Sequence, residues 1–481
     1  MKLIVIGGGI AGLSAAYYAQ KQIPEAQITL LEADSRWGGK IATERTDGFV
    51  IEGGPDTFLA SKPWGVALCN ELGLADRLHG TNPKTKNTYV LHRNRLQPLP
   101  DGLAMMIPTN VQSIFKTRLV SWFGKARMGF DFLQPAKALN GDESLGAFVS
   151  RRLGREAYEN LIEPLMSGIY AGDGDQLSLA STFPYLRDLE LKYGSLARGA
   201  LEMRKKQVGA KHASPLQGSR SAFLTPTSGL AEIVEALVES LRLNGVCLRL
   251  SAPVKSVSRL QPSTWNIELA TGDVLDADSV ILATPAPVSG KLLEALDPAL
   301  ASVLQSISYA STATVSLAYH LGDVPRSLDG YGYVIPRREG RRALACTWTS
   351  TKFPHRAPDG YALIRIFVGR AGQDAGMPRD ESALTNLARE ELQLTLGISA
   401  EPILSRVFVW ENAMPQYNLG HPAKLAQIDS ALGNHPGLAL AGNGYRGIGI
   451  PDCIHSGEVA VRTIVETRQM KNSVSLSFAA H

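Results

Sequence analysis

Three glycines near the start of the chain have the spacing of a dinucleotide-binding turn. Gly7, Gly9 and Gly12 follow the apolar run Leu3 to Ile6 and precede a helix-forming stretch. The first glycine permits the sharp bend, the second lets backbone N–H groups approach a pyrophosphate, and the third lets the helix pack closely on the strand. The helix N-terminus then faces the phosphates. The residues of this turn expected to contact the dinucleotide are Gly7, Gly9, Ile10, Ala11 and Gly12.

The elements that must position this turn are indicated by pattern. The run Leu3 to Ile6 is short and unbroken, which is typical of a strand buried on both faces, and helix formers continue from Ala11 to Gln20 until Pro24 ends them. A glycine-rich turn of another parallel-sheet protein is the alternative. A secretory signal is disfavoured because adjacent glycines interrupt the apolar run.

A carboxylate stands where a second strand should end. Glu32 lies about twenty residues past Gly12 and is followed by Ala33. A carboxylate at this position binds the ribose hydroxyls of a dinucleotide and repels a 2′-phosphate. The complete unit of strand, turn, helix, strand and Glu32 therefore favours dinucleotide binding over an ordinary glycine turn.

A second glycine motif identifies the class of dinucleotide. Arg36, Gly38, Gly39 and Lys40 follow Glu32 closely. This segment resembles the second glycine motif of the flavoproteins that include amine oxidases, phytoene desaturases and porphyrinogen oxidases. The resemblance implies FAD, with the paired glycines beside its diphosphate and with Arg36 and Lys40 adding positive charge there. An ordinary loop with two glycines and two cations is the alternative.

Further motifs in the same order extend the resemblance to almost the whole chain. A strand ends in a glycine turn at residues 53–56, which similar flavoproteins place beside the isoalloxazine ring. A helix near Pro451 would direct its N-terminal amides at the pyrimidine edge of the flavin. The remaining residues implied to contact FAD are Gly53, Gly54, Pro55, Asp56, Val254, Ala283, Thr284, Trp410, Gly442, Asn443, Gly449, Ile450 and Pro451.

The run from Glu163 to Asp173 narrows the family. It looks like a signature of protoporphyrinogen and coproporphyrinogen oxidases that the amine oxidases do not share in this form. The resemblance implies a porphyrinogen substrate, oxidised in three two-electron rounds, with O2 as the acceptor and hydrogen peroxide as the product. The flavin carries this chemistry, so we assign no catalytic side chain.

The implied substrate is a flat apolar macrocycle with carboxylate arms, which requires an apolar slot with cations at its rim. The slot candidates are Met166, Ile169 and Phe183, and Lys62 is the rim candidate. Lys62 is equally well explained as a solvated lysine. The composition and the similarity to short bacterial members favour coproporphyrinogen III, which has four carboxylates, over protoporphyrinogen IX, which has two.

Composition excludes several other classes. The chain has 481 residues, a net charge of +4 and 44% hydrophobic residues, and it carries no nucleic-acid recognition motif. Its four cysteines and nine histidines are scattered, so we expect neither a metal site nor a disulfide framework. No apolar run approaches the length of a membrane span. We therefore expect a cytoplasmic protein, peripheral at most at the inner face of the membrane.

The predicted fold class is α/β, with a Rossmann-like FAD-binding domain of the amine oxidase-like type, a mixed-sheet substrate domain and an inserted, mostly helical domain. The expected segments are 1–83 (FAD-binding), 84–221 (helical, facing substrate or membrane), 222–290 (FAD-binding), 291–415 (antiparallel sheet), 416–467 (FAD-binding) and 468–481 (disordered tail).

Several local expectations depend on pattern alone. We expect a helix from Ser61, its N-cap, to Gly73, one strand from Leu248 to Val257, and a C-terminal helix that ends near Val465. We also expect a small hairpin formed by residues 89–91 and 95–96. Strands are expected at 314–319, 331–335, 345–349 and 362–367. The segment Gly102 to Lys137 is basic and aromatic, which suits either a helix pair over the active site or a membrane-interface element. A cationic run that begins at Arg198 is expected to be an exposed loop. Its members are Arg198, Arg204, Lys205, Lys206, Lys211 and Arg220.

Rival functions remain open. An amine oxidase would usually place an aromatic pair near the chain end, where this sequence has one aromatic residue, Tyr445. The run Gly168 to Asp173 disfavours a desaturase. A non-catalytic flavin protein that hands a porphyrin to a ferrochelatase is the alternative from another class, and its lack of peroxide production would distinguish it.

Overall fold

We describe a computed structural model of the chain. It describes residues 1–101, 103–104, 107–108, 110–137, 141–203, 221–261 and 264–479. The cationic residues Arg204, Lys205, Lys206, Lys211 and Arg220 lie outside the described residues. Arg198 is described, and its guanidinium donates to the carbonyl of Phe132 at 2.9 Å.

A five-stranded parallel sheet, which we call the nucleotide sheet, holds the glycine turn. Its strands, in spatial order, are Cys247–Arg249, Gln27–Leu31, Lys2–Ile6, Ser279–Leu282 and Leu438–Leu440. Leu3 and Val5 are fully buried, as expected for a parallel strand covered on both faces. The predicted strand, helix and second strand are confirmed, with the helix at Ile10–Gln22.

Two helices cover the same face of this sheet as helix Ile10–Gln22. They are Ala231–Leu243 and the C-terminal helix Ile450–Ala479. A Cβ atom added to Gly457 would lie 2.5 Å from the carbonyl oxygen of Ala11. Only glycine allows the C-terminal helix to approach the first helix this closely.

The C-terminal helix is longer than we expected. It continues to Ala479 and does not end near Val465, where we expected its end. No glycine or proline follows Gly457, so nothing in the segment terminates the helix.

The single strand expected from Leu248 to Val257 is two strands in different sheets. Cys247–Arg249 belongs to the nucleotide sheet, whereas Val254–Gln261 begins an antiparallel sheet with Thr264–Leu269 and Val274–Ala277. Ser251 between them has a φ of +49°, a left-handed conformation that ends a strand. The apolar pattern did not reveal this bend.

A seven-stranded sheet, which we call the roof sheet, forms the second main layer. Its spatial order is Leu404–Pro415, Tyr309–His320, Tyr361–Val368, Ala343–Trp348, Gly330–Val334, Asn87–His92 and Arg95–Pro98. The strands predicted between 314 and 367 are confirmed. Helix Glu381–Leu396 packs on this sheet and was not predicted.

The roof sheet is antiparallel except where Asn87–His92 runs parallel to Gly330–Val334. Asn87–His92 and Arg95–Pro98 form the predicted hairpin, but it joins the roof sheet, although it lies in the range 84–221 that we expected to be one helical insertion. A lone hairpin is marginally stable. This one buries Tyr89 and Leu91 in the core of the roof sheet.

The helical domain follows the hairpin. A fully buried ion pair, Arg152 Nε to Asp131 Oδ1 at 2.5 Å, ties two of its elements together. Its helices are Val111–Lys116, Trp122–Gly129, Leu145–Leu153, Arg155–Ala157, Glu163–Tyr170, Leu179–Thr182 and Pro184–Tyr193. Among the residues described, no helix is both long and apolar enough to cross a bilayer.

The remaining elements are short. They are strands Thr43–Thr46, Phe49–Glu52, Phe58–Leu59, Leu78–Gly80, Leu103–Ala104, Ile107–Pro108 and Phe223–Pro226, and helices Pro63–Glu71, Ala286–Leu292, Pro298–Gln305, Thr349–Lys352 and His421–Leu432. Ser61 does not cap the helix at Pro63, because Lys62 is the N-cap residue and makes no side-chain cap. Pro63 favours the extended conformation that Lys62 adopts, and the ammonium of Lys62 cannot accept the backbone N–H bond of a cap.

Candidate functional site

The glycine turn has the geometry that a diphosphate requires. Gly7 has a φ of +110°. A Cβ on Gly12 would lie 1.8 Å from the carbonyl oxygen of Gly7, whereas a Cβ on Gly9 would meet nothing within 4 Å. The turn is therefore closed towards the protein and open at Gly9, where helix Ile10–Gln22 begins and Ala11 lies in the first turn. A negatively charged diphosphate fits this open helix N-terminus.

Glu32 is held at the carboxyl end of its strand. Its Oε2 accepts from the backbone N of Gly8 at 2.5 Å, and its Oε1 accepts from the backbone N of Asp34 at 2.8 Å. Ala33, between Glu32 and Asp34 in the chain, is exposed. The backbone N of Ala252 donates to the carbonyl of Glu32 at 2.8 Å, which brings the segment before Val254 beside the predicted ribose site.

The second glycine motif lies directly on the first. The backbone N of Gly38 donates to the carbonyl of Gly8 at 2.9 Å, and a Cβ on Gly39 would lie 3.2 Å from Cα of Gly9. Arg36 donates to the carbonyls of Gly39 and Ile41. Arg36 therefore braces the motif itself, a role that we did not predict.

Lys40 is the cation left available in this motif. Its Nζ lies 5.6 Å from the ring centroid of Tyr309 and forms no hydrogen bond or ion pair with any residue that the structure describes. Burial lowers its pKa from 10.5 to about 8, because an unpaired ammonium is costly in a site with little water. An anionic group at this place would relieve that cost.

The turn at residues 53–56 lies between the second glycine motif and the roof sheet. The carbonyl of Gly53 accepts three donors, one from each of three roof strands: Thr314 Oγ1 at 2.8 Å, Arg365 Nη2 at 3.1 Å and Trp410 Nε1 at 2.8 Å. A Cβ on Gly54 would lie 1.9 Å from the carbonyl oxygen of Lys40. This turn is therefore fixed from both sides.

Asp56, two residues further on and after Pro55, has a strong cationic partner. Lys352 Nζ lies 3.0 Å from its Oδ2. Burial alone would raise the pKa of Asp56, but the charges of Lys352 and Arg365 outweigh it and lower the pKa to about 2. Sequence reasoning predicted Asp56 as a cofactor contact and missed this pair.

The strands Ser279–Leu282 and Leu438–Leu440 complete the carboxyl edge of the nucleotide sheet. The backbone N of Ala283 donates to the carbonyl of Ile6 at 2.8 Å, and Thr284 Oγ1 lies 2.8 Å from Ser289 Oγ. Gly442, after the last strand, has a φ of +121° and open space where a Cβ would be. Asn443, Gly449, Ile450 and Pro451 follow at the same edge. Gly7, Glu32, Ala283 and Gly442 thus follow the carboxyl ends of four strands of the nucleotide sheet, the edge at which α/β sheets bind ligands.

The predicted substrate residues lie in different surroundings. Lys62 Nζ lies 2.6 Å from both carboxylate oxygens of Asp452, in the first turn of the C-terminal helix. Met166 and Phe183 are buried in the core of the helical domain. Ile169, on helix Glu163–Tyr170, is 47% exposed. Ile169 is therefore the accessible slot candidate.

Two site residues that we did not predict are Arg365 and Tyr417. Arg365 is 2% exposed in an otherwise apolar strand. A charge in a buried strand is a signal that sequence reasoning could have used. Tyr417 is fully buried and hydrogen-bonds the backbone of the loop at Asn443. No local pattern indicates this long-range contact.

A small cavity opens where the helical domain, the roof sheet and the last flavin-domain segment meet. Its volume is about 260 Å³, and Asp173, Tyr309, Asp374 and Gln416 are among its lining residues. It is below the usual size of a pocket for a drug-sized ligand. We therefore do not assign the macrocycle to it.

Comparison with known proteins gives consistent relatives. A family model described as "Flavin containing amine oxidoreductase" matches residues 10–465. Coproporphyrinogen III oxidase of Bacillus subtilis is 40% identical over 464 residues, which cover 95% of this chain and 97% of the relative. Protoporphyrinogen oxidase 1 of Arabidopsis thaliana chloroplasts is 31% identical over 96% of this chain and 87% of the relative.

Two solved structures share the fold of this chain. A putative protoporphyrinogen oxidase from an Exiguobacterium species superimposes with a TM-score of 0.83 at 34% identity, over 96% of this chain and 98% of the other. A putrescine oxidase variant superimposes with a TM-score of 0.68 at 16% identity, over 97% and 98%. At that identity the likeness concerns the fold alone.

Proposed function

Because the chain belongs to the flavin-containing amine oxidoreductase family and its cofactor is FAD, we propose that it oxidises coproporphyrinogen III to coproporphyrin III. The observation that supports this most is the 40% identity to coproporphyrinogen III oxidase of Bacillus subtilis over 95% of the chain. Protoporphyrinogen IX is the second candidate, supported by the weaker match to the plant enzyme.

The overall reaction balances without another reactant. The porphyrinogen loses six protons and six electrons, which together are six hydrogen atoms, and three molecules of O2 take them up to form three molecules of hydrogen peroxide. Bound FAD supplies the acceptor for each pair of electrons. The side chains of this protein bind the cofactor, orient the substrate and exclude water. We assign none of them to proton transfer.

The chain divides these tasks among its elements. The open glycine turn at Gly9 receives the diphosphate, and Glu32 offers its carboxylate to the ribose. The roof sheet, tied to the turn at Gly53 by three hydrogen bonds, covers the site and excludes water. The substrate carbon has no acidic proton, so it must lose a hydride. A covered site favours hydride transfer to FAD by holding substrate and cofactor in contact.

Lys62 is the proposed partner of a substrate carboxylate. The side chain of Lys62 is 39% exposed and that of Asp452, its partner, is 10% exposed, so the lysine has a free side that a propionate can approach. Replacing Lys62 by Met should lower kcat/KM about tenfold through KM, the typical effect of losing one charge-assisted hydrogen bond. Lys62→Arg should retain most of the affinity. Equal KM values for Met, Arg and wild type would exclude the assignment.

A face of the helical domain supports peripheral membrane contact. Trp122 is 70% exposed and Phe123 is 90% exposed, and Lys116 and Arg118 are exposed nearby. Aromatic side chains with adjacent cations suit an anionic lipid interface. Flotation with anionic vesicles should recover the wild type but not a Trp122→Ala, Phe123→Ala variant. Failure of the wild type to bind would refute this part of the proposal.

The assay of function compares both porphyrinogens in air. Coproporphyrinogen III should be consumed faster, with porphyrin fluorescence and peroxide rising together, after subtraction of autoxidation without enzyme. Faster turnover of protoporphyrinogen IX would reverse the substrate order. Bound flavin without peroxide from either would favour a non-catalytic protein that carries a porphyrin to a ferrochelatase.

A further inference from the structure

The glycine-rich loop 442–449 is held by a side chain from outside it. The hydroxyl of Tyr417 donates to the carbonyl of Asn443 at 2.6 Å and accepts from the backbone N of Gly447 at 2.9 Å. Tyr417 is fully buried. One hydroxyl therefore closes the loop across four residues, and both of its hydrogen-bonding capacities are used.

His421, one turn further along, holds the middle of the same loop. Its Nε2 lies 2.9 Å from the carbonyl of Tyr445. A carbonyl can only accept, so Nε2 carries the proton. Burial lowers the pKa of His421, which favours the neutral ring. The rings of Tyr417 and His421 stack with centroids 4.2 Å apart and planes 12° apart, so each side chain fixes the other.

The loop needs this support because of its composition. It contains glycine at 442, 444, 447 and 449, and Gly442 and Gly447 have positive φ values of +121° and +118°. Glycines give the free loop many conformations. The loop follows the last strand of the nucleotide sheet and leads directly into the C-terminal helix at Ile450. It therefore lies at the ligand-binding edge and sets where the helix N-terminus points.

We propose that Tyr417 and His421 are positioning residues that hold loop 442–449 and the N-terminus of the C-terminal helix against the flavin, and so make its reduction more favourable. This inference rests on the FAD cofactor and not on which porphyrinogen is the substrate. If the loop relaxes, the protein should lose more affinity for reduced FAD, which carries the negative charge, than for oxidised FAD.

The test measures the midpoint potential of bound FAD in Tyr417→Phe and His421→Leu. Each variant should weaken binding of reduced FAD about tenfold more than binding of oxidised FAD, which corresponds to a midpoint potential about 30 mV more negative. His421→Gln, which retains an N–H donor, should keep a potential close to wild type. If Tyr417→Phe yields no folded protein, the two His421 variants decide by the same measurement.

A matched control distinguishes positioning from general stability. Tyr333 is 1% exposed and its hydroxyl lies 2.7 Å from Thr395 Oγ1 in the roof-sheet layer. Tyr333→Phe should lower the unfolding temperature and leave the flavin potential unchanged. The inference is overturned if folded Tyr417→Phe and His421→Leu have the wild-type potential, or if Tyr333→Phe shifts the potential equally. A lack of porphyrinogen turnover with the expected potentials would refute only the proposed substrate.

Discussion

Replacing Lys40 by Met should change the stability of the FAD-free protein and its affinity for FAD in opposite directions. The Lys40 ammonium has no hydrogen bond or ion pair with the described residues, and burial lowers its pKa from 10.5 to about 8. The difference of about 2.5 between these values corresponds to roughly 3 kcal/mol against the charged group. Because the side chain is only half-buried, we expect about 2 kcal/mol to be measured.

The direction in which the stability of the FAD-free protein changes with pH follows from the number of protons bound at Lys40. Between pH 8 and 10.5 the unfolded chain binds more protons at Lys40 than the folded chain, so the stability of the FAD-free protein rises with pH across that window. Below pH 8 the penalty is fully present. At pH 7 the FAD-free Lys40→Met protein should therefore be the more stable one, whereas its FAD affinity should fall about tenfold or more through loss of a charge-assisted contact.

Urea unfolding with and without FAD, together with FAD titration of the apoprotein, measures both effects. Lys62→Met is the matched control: Lys62 is paired with Asp452, so its removal should not stabilise the FAD-free protein. A Lys40→Met protein that is less stable than wild type without FAD at pH 7, or that binds FAD as tightly, would refute the reasoning.

Three further predictions concern the turn and two ion pairs. Gly12→Ala should abolish FAD binding because its Cβ would lie 1.8 Å from a backbone oxygen. Gly9→Ala should fold normally, since its Cβ would meet nothing within 4 Å. In an FAD titration it should only weaken binding. Asp56 has a pKa of about 2, so Asp56→Asn should lose about 2 kcal/mol at pH 7 and little at pH 2, as checked by urea unfolding at both pH values. Arg152→Met should cost about 3–5 kcal/mol by leaving the buried Asp131 unpaired, and a variant with both residues made apolar should recover part of that stability.

The sequence predicted what depends on neighbouring residues. The family, the α/β fold class and FAD were deduced from motifs and are confirmed by the family match and the superimposed structures. The strand, turn and helix around Gly7 are encoded by adjacent residues, because each glycine has a local steric reason. The apolar strands of the roof sheet were predicted for the same reason, from short apolar runs between turn residues.

The rest depends on contacts distant in sequence. The pairing of Lys62 with Asp452 joins positions 390 residues apart, and no local pattern indicates it. The strand from Leu248 was divided by one left-handed residue, Ser251, that the apolar pattern concealed. Tyr417 was not predicted as a site residue, because its hydrogen bonds to loop 442–449 form only in the folded chain.

The most direct test of the proposed function is an anaerobic half-reaction. The FAD-loaded protein is mixed with coproporphyrinogen III without O2, and flavin absorbance is followed. We expect the flavin to bleach as coproporphyrin forms, with three flavins reduced for each porphyrin completed. A flavin that keeps its oxidised spectrum with coproporphyrinogen III and protoporphyrinogen IX, but is bleached by a primary amine, would contradict it.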